Sequence, residues 1–388
     1  MPWPPSSLTA VRELSGRGRG LVAASNIPAG APVLCEVALA STSLSGLETH
    51  DPWAIAALLA AALLSSDGVH EQTTLLEPRT ADGLNADPAQ AAAIIEMRRL
   101  AHNAEVRVAD LSDAQDLECL RLLHVVQRNA LELLGRQALC VRASMCNHSC
   151  QPNATHQGFQ RADGALCCCI RAVRAIAAGE EVCISYIADL ACSATDRARA
   201  LEHHSIQPDT RACDAALEAW AASAPPPSEP KRVQLEREIG ARNAAADKAW
   251  EQAIAINSSG DAAGAAAAAD ATKQRYMQAA AHYAQLMQVA TSMLGESHAI
   301  LLQARQRLAQ VMMMSDAQRS QANALPLWRA VLAVTRSCVP PHWPALLEPL
   351  RGAAAAAAAA GEAEAAAAYA TEVDAVLAVL QPRCADVS

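Results

Sequence analysis

Aromatic side chains are scarce in this sequence: they make up 3% of 388 residues, and Phe159 is the single phenylalanine. A core built without them is filled by small aliphatic side chains, which favours closely packed helices over an aromatic-rich β-sandwich. An excess of basic charge is also missing. Thirty-one Lys and Arg against 40 Asp and Glu leave a net charge of −9, which excludes an indiscriminate electrostatic grip on nucleic acid. Long apolar runs are absent too. The longest, AIAALLAAALL at 54–64 and the alanine run at 353–360, are too short to span a bilayer. The opening MPWPPSSLTAVREL lacks the basic-then-apolar pattern of an export leader. The expectation is therefore an intracellular protein, in cytoplasm or nucleus, with no membrane and no direct nucleic-acid partner.

What is present is length enough for two or three domains, and thirteen cysteines. An odd number in a chain of this kind reads as buried thiols rather than a disulfide framework. Residues 11–40 have short apolar runs around the turn signal NIPAG, and read as strands. Residues 50–139 change to apolar spacings of three and four, as in DLECLRLLHVVQRNALELL, and read as a helical insert. Strand texture returns over 139–187 in GALCCCIRAVRAI and EEVCISYI. In Cys167-Cys-Cys169 the first and third thiols share one strand face and Cys168 points away; core thiols are the expectation. A Pro/Ser-rich linker is expected at 221–230, followed by alanine-dominated helices over 231–381. There HYAQLMQVATSMLGESHAILLQARQRLAQ and LPLWRAVLAVTRSCVPPHWPALLEPLRGAAA look like copies of one helix-pair repeat, bringing His298 and His342 into correspondence.

One stretch is dense in chemistry. MCNHSCQPNATH, residues 145–156, holds two cysteines, two histidines and two asparagines in twelve positions. By composition it could be a metal knot, a reactive thiol centre, a glycosylation site or a backbone crossing. Asn147-His-Ser, Asn153-Ala-Thr and Asn257-Ser-Ser all fit the glycosylation sequon, which operates only on secreted chains.

Three segments in fixed order narrow the choice: SGRGRGLVAASNIPAGAPVLCE at 15–36, SMCNHSCQPNA at 144–154 and RAVRAIAAGEEVCISYI at 171–187. Together they resemble the SET-domain lysine methyltransferases, and most of all the branch that carries a MYND finger within the SET fold and a helical-repeat domain behind it. The resemblance implies an α+β chain: a β-rich SET domain over 11–213 with a helical insertion at about 50–139, then an all-α TPR-like domain. It implies S-adenosylmethionine as cofactor and a protein with an accessible lysine, histone or other, as substrate. Carried over residue by residue, Arg17, Gly18, Arg19 and Gly20 border the cofactor, where an arginine can pair with its carboxylate and glycines let the backbone come close. Asn147 and His148 line the same site, and Asn129 contacts it. Tyr186 stands at the position of the catalytic tyrosine, which holds the amine for direct methyl transfer. Gly179-Glu-Glu181 is expected only to turn into that strand.

The sequence also departs from the family. Between Glu36 and Leu139 there is one cysteine, Cys119, so no MYND zinc site can form there. The degenerate tail at about 197–213 keeps Cys213, and with Cys150 it resembles the remnant of a zinc site; Pro208 and Thr210 stand where the other ligands belong, so zinc is not expected. His204 and Ile206 occupy the substrate-channel positions that the family gives to aromatics. Two functions follow: a protein-lysine N-methyltransferase, or an inactive SET-fold scaffold that holds protein partners through its helical repeats.

Overall fold

The computed structural model of the protein describes residues 8–43, 52–64, 72–73, 75–76, 78, 80, 86–103, 113–204, 206–221, 230–258, 265–314 and 317–380. Contacts divide the chain into two compact units, the first running to Tyr186 and taking in the chain again from Val379, the second from Ile187 to Ala378. Among the described residues no helix is long and apolar enough to cross a membrane.

The first unit is built from short strands around a helical insert. β1 (Thr9–Leu14) and β2 (Gly18–Ala23) form a hairpin. Gly16 and Gly18 take positive φ of 72° and 67° at its turn, a conformation that glycine enters without a Cβ penalty. β3 (Pro32–Val37) pairs antiparallel with β9 (Leu166–Ala172), and β9 pairs with β8 (Ala154–Gln160), in the order β3-β9-β8. A second three-stranded sheet runs β4-β6-β5, from Ala40–Ser43, Arg136–Leu139 and Ala130–Leu133.

The insert contributes helices α1 (Pro52–Leu64), α2 (Pro88–Asn103) and α3 (Asp113–Asn129). Ala56, Ala57, Leu59, Ala60, Ala61 and Leu63 of α1 are all buried, which gives the alanine-rich run its place as a central helix. Helical structure was expected to reach 139, but it ends at Asn129. The next ten residues form the β5–β6 hairpin instead. Leu134 and Gly135 at its tip take φ of 53° and 69°, and such a left-handed pair closes a two-residue hairpin that a helix would not accept.

β7 (Asn147–His148) and β10 (Cys183–Ile184) form a two-residue parallel ladder, Cys183 beside Asn147 and Ile184 beside His148. The Ser149 N–H extends it by donating to the Ile184 carbonyl at 2.9 Å. This ladder lays MCNHSCQPNATH alongside the segment that ends at Tyr186.

The second unit is helical apart from its opening loops. It contains α4 (Ala194–Leu201), α5 (Asp214–Leu217), α6 (Pro230–Ser258), α7 (Ala265–Ala290), α8 (Ala299–Met313), α9 (Gln318–Asn323), α10 (Leu325–Cys338), α11 (Leu347–Ala359) and α12 (Ala363–Leu380). His298 caps α8, its Nδ1 accepting from the Ile300 N–H, and His342 lies in the turn between α10 and α11. Each therefore stands between two helices. Of the linker expected at 221–230, only the two end residues are described.

The tail at 197–213, grouped by sequence with the SET domain, falls in the second unit. An ion cluster explains why. Arg197 and Arg211, both buried, converge on Asp214, and Arg211 also donates to the carbonyls of Leu190 and Cys338. The tail is thereby tied to the end of α10.

Candidate functional site

The site is assembled where the β1–β2 turn meets the β7/β10 ladder. Arg17, at the tip of the turn, donates through Nη2 to the His148 carbonyl at 2.6 Å and pairs through Nη1 with Glu181 Oε2 at 3.3 Å. Asn147 donates through Nδ2 to the Arg19 carbonyl at 3.0 Å and to Glu181 Oε1 at 2.7 Å. Glu181 thus joins the Gly-Arg-Gly turn to the crossing, one carboxylate oxygen on each.

Gly20 is required by this closeness. A Cβ there would lie 2.4 Å from Leu14 Cδ1, 2.8 Å from Glu181 Oε1 and 3.0 Å from Asn147 Nδ2. At Gly18 the same construction meets nothing within 4 Å, so the backbone there faces open space.

Tyr186 is bonded to the crossing at both ends. Its backbone N–H donates to His148 Nδ1 at 3.0 Å, and its phenol Oη donates to the Cys146 carbonyl at 2.8 Å. The two rings lie 5.5 Å apart at 54°. Burial pushes the Tyr186 hydroxyl well above its usual value, with the neighbouring Cys146 and Cys183 adding to the shift, so the phenol stays neutral. A phenol that gives its one proton to a carbonyl keeps lone pairs with which to accept from an amine.

Two further side chains hold the crossing in place. Asn153, 2% exposed, accepts from the Cys183 N–H at 2.9 Å and donates to the Glu181 carbonyl at 2.8 Å and Glu180 Oε1 at 2.9 Å. Glu36 of β3 accepts from the backbone N–H groups of Arg142 at 3.1 Å and Ala143 at 2.5 Å. It caps the short 3-10 turn Ala143–Met145 that leads into Asn147. Burial raises the Glu36 carboxyl above its usual range, against the two amides and the Arg142 charge, which lower it.

The expected residues are therefore only partly gathered. Arg17, Asn147, His148 and Tyr186 share one hydrogen-bonded constellation through Glu181 and the backbone, and Gly20 packs against it. Arg19 joins it through its carbonyl, while its guanidinium donates to Leu75 O in the insert at 2.5 Å. Asn129 ends α3, where its Nδ2 donates back to the Val125 carbonyl at 2.8 Å and its own carbonyl accepts from Ser144 Oγ at 2.7 Å. His204 and Ile206 lie in the second unit, His204 ending the 3-10 turn Glu202–His204 and Ile206 two residues beyond it. Ile206 helps line an open cavity with Thr195, Arg199 and Glu202.

The residues that sequence reasoning missed are Glu181, Asn153 and Glu36. Glu181 was taken for turn material, and its signal was the carboxylate pair ahead of the strand ending at Tyr186. The two cysteines of the expected zinc remnant have other neighbours. Cys150 Sγ lies 3.3 Å from His148 Nε2, and the Cys213 thiol is a hydrogen-bonding neighbour of Cys338. Among the described residues, no three His, Cys, Asp or Glu converge as a metal site.

As to a cofactor with an amino-acid carboxylate, the donor set fits. The Arg17 side chain is 42% exposed and carries more N–H donors than its bonds to Glu181 and His148 use. The open backbone at Gly18 stands beside it.

Comparison with known proteins bears on this unit. Residues 18–187 match the family model of the SET domain, from the start of β2 to one residue past Tyr186. The crystal structure of the SET domain of LSMT bound to lysine and AdoHcy matches at 11% identity and a TM-score of 0.32, covering 96% of this chain and 87% of that one. None of the curated proteins matches. The β-rich first unit carries a SET domain, and a mostly helical region follows it.

Proposed function

We propose that the protein is an S-adenosylmethionine-dependent protein-lysine N-methyltransferase whose site is the Arg17–Asn147–His148–Tyr186 constellation. The observation that carries the reading is the double tie of Tyr186 to the crossing, by N–H to His148 and by Oη to Cys146. It brackets Asn147 between the tyrosine's two anchor points. Arg17 would pair with the cofactor's carboxylate, and Asn147 and His148, fixed by their bonds to Glu181 and Tyr186, would line its site. When bound, the cofactor supplies an electrophilic sulfonium methyl group. Tyr186 would accept an N–H of the neutral lysine amine while its own proton stays on Oη, donated to the Cys146 carbonyl, which would fix the direction of the nitrogen lone pair. Catalysis is then alignment and exclusion of water, without an acyl or phosphoryl intermediate.

The branch with a MYND finger, lacking that finger here, is the family member we take the chain to resemble, with a TPR-like reading of 231–381. The helix–turn–helix placement of His298 and His342 supports the repeat. An intracellular setting, in cytoplasm or nucleus, belongs to the same reading and rests on the odd number of cysteines, thirteen, which does not suit a disulfide framework.

The rival is a SET-fold scaffold without activity, favoured by one feature: between Tyr186 and Trp220 the sequence contains no Phe, Tyr or Trp to wall a lysine channel. Labelled S-adenosylmethionine, the full chain and a cell extract separate the two. The enzyme transfers label to a protein band and loses this with Tyr186→Phe. A scaffold binds the cofactor by calorimetry and transfers nothing, and no binding heat at high protein concentration removes the cofactor site altogether.

A further inference from the structure

β3 and β9 pair in a register that sets Cys35 opposite Cys169, Glu36 opposite Cys168 and Val37 opposite Cys167. One step beyond the ladder, the Ala38 N–H donates to the Leu166 carbonyl at 2.9 Å. Ala38 and Leu166 are therefore a hydrogen-bonded pair. Because antiparallel pairs alternate, Glu36/Cys168 is hydrogen-bonded as well, and Cys35/Cys169 is not. Residues in a non-hydrogen-bonded pair have Cα atoms about 4.5 Å apart and the closest side chains, within the roughly 4.4–6.8 Å that a disulfide spans. The two Sγ atoms lie 2.8 Å apart, against a disulfide bond of about 2.05 Å. Cys168 turns to the opposite face, where Cys140 is its hydrogen-bonding neighbour. Backbone register and side-chain distance thus single out one pair.

We propose that Cys35 and Cys169 form a reversible cross-linking site, closed as a disulfide by a peroxide. One thiolate attacks a peroxide oxygen, the O–O bond breaks, and hydroxide leaves a sulfenic acid behind. The second thiol's sulfur attacks that sulfur, the S–S bond forms, the S–O bond breaks and water leaves. Two thiols and one hydrogen peroxide become one disulfide and two waters. Both thiols are buried, at 5% and 1% exposure, so the oxidant must be small and the reaction follows opening of β3, the edge strand of its sheet. The link would bear on the site through Glu36, next to Cys35, which caps the turn before Asn147. A closed disulfide holds β3, and with it that cap.

The test uses the full chain, native, exposed to hydrogen peroxide, then quenched with N-ethylmaleimide under denaturing conditions, proteolysed and mapped by mass spectrometry without reduction. The expected result is a Cys35–Cys169 peptide pair that outweighs every other pairing among the thirteen cysteines and disappears with dithiothreitol. The oxidised chain should also melt at a higher temperature than the reduced one, a gain absent in Cys35→Ser. Alkylation of both residues after oxidation, or cross-links scattered over the other thiols, would overturn the proposal. The wild-type peptide map decides even if the variant does not fold.

Discussion

The backbone N–H of Tyr186 and the ring of His148 fix each other: the amide donates to Nδ1 at 3.0 Å. An amide only donates, so Nδ1 carries the lone pair and the ring proton sits on Nε2. Nε2 points at Cys150 Sγ, 3.3 Å away, which accepts. Cys150 thus serves the site by orienting His148. Cys150→Ala should leave a buried N–H without that acceptor and cost about 1–3 kcal/mol, whereas Cys150→Ser keeps an acceptor and costs less. Urea unfolding of the two variants measures the difference, and equal midpoints would remove this role.

Tyr186→Phe tests the proposed chemistry. It removes the hydroxyl that bonds to the Cys146 carbonyl at 2.8 Å but leaves the ring and the backbone bond to His148. Methyl transfer should fall on the order of a hundredfold through lost alignment. Cofactor affinity by calorimetry should stay within about twofold, because Arg17, Asn147 and His148 are untouched.

The strands, the helical insert and the crossing were legible because each rests on local signals: turn residues, apolar period, a dense polar motif. What escaped were partners chosen by distance in space. Glu181 looked like turn filler, because nothing in GEE tells that its carboxylate will bridge Arg17 to Asn147. Glu36 sat in an ordinary strand until the fold brought Arg142 and Ala143 beside it. Residues 130–139 were read as helix from their leucines, but the hairpin is set by the left-handed pair Leu134-Gly135. The tail is read by its cysteines, and nothing in them tells of the two buried arginines that converge on Asp214.

Gly20→Ala probes close packing at the site. The added methyl must displace the tips of Leu14, Glu181 and Asn147, all side-chain ends that can shift. The cost in stability should be modest, about 1–3 kcal/mol as for other overpacked positions. The loss in cofactor affinity should be the larger effect, because the Asn147–Glu181 bond is what must yield. A melting curve and a binding isotherm, taken together, check that order.

Glu36 should make stability depend on pH. Its carboxyl titrates above the usual 4.5 because burial outweighs the Arg142 and Ala143 amides and the Arg142 charge. A group with a raised folded value contributes fully below 4.5, and that contribution is lost as pH rises through the folded value. Wild type should therefore lose ground to Glu36→Gln as pH rises from about 4 toward neutrality. Thermal melts of both proteins across that range measure it, and parallel curves would contradict the assignment.

Asp214 shows the opposite sign. Burial alone would raise its carboxyl, but bonds from Arg197 and the Arg211 amide, with both guanidinium charges, bring it below the usual 3.8. Both Arg197 bonds measure 2.8 Å, and the two arginine side chains are fully buried. A depressed folded value means that the stabilisation is fully present above pH 3.8 and is lost as pH falls through that lower value. At neutral pH, Asp214→Asn strands two buried cations, and breaking a buried pair of this kind costs about 3–5 kcal/mol. The exposed Arg242–Glu238 pair on α6 is the control. Glu238→Gln should change stability by less than about 1 kcal/mol, because solvent already screens that pair. Denaturant titrations at neutral pH should therefore separate the two variants by several kcal/mol, and in acid the Asp214→Asn penalty should shrink while the control stays flat.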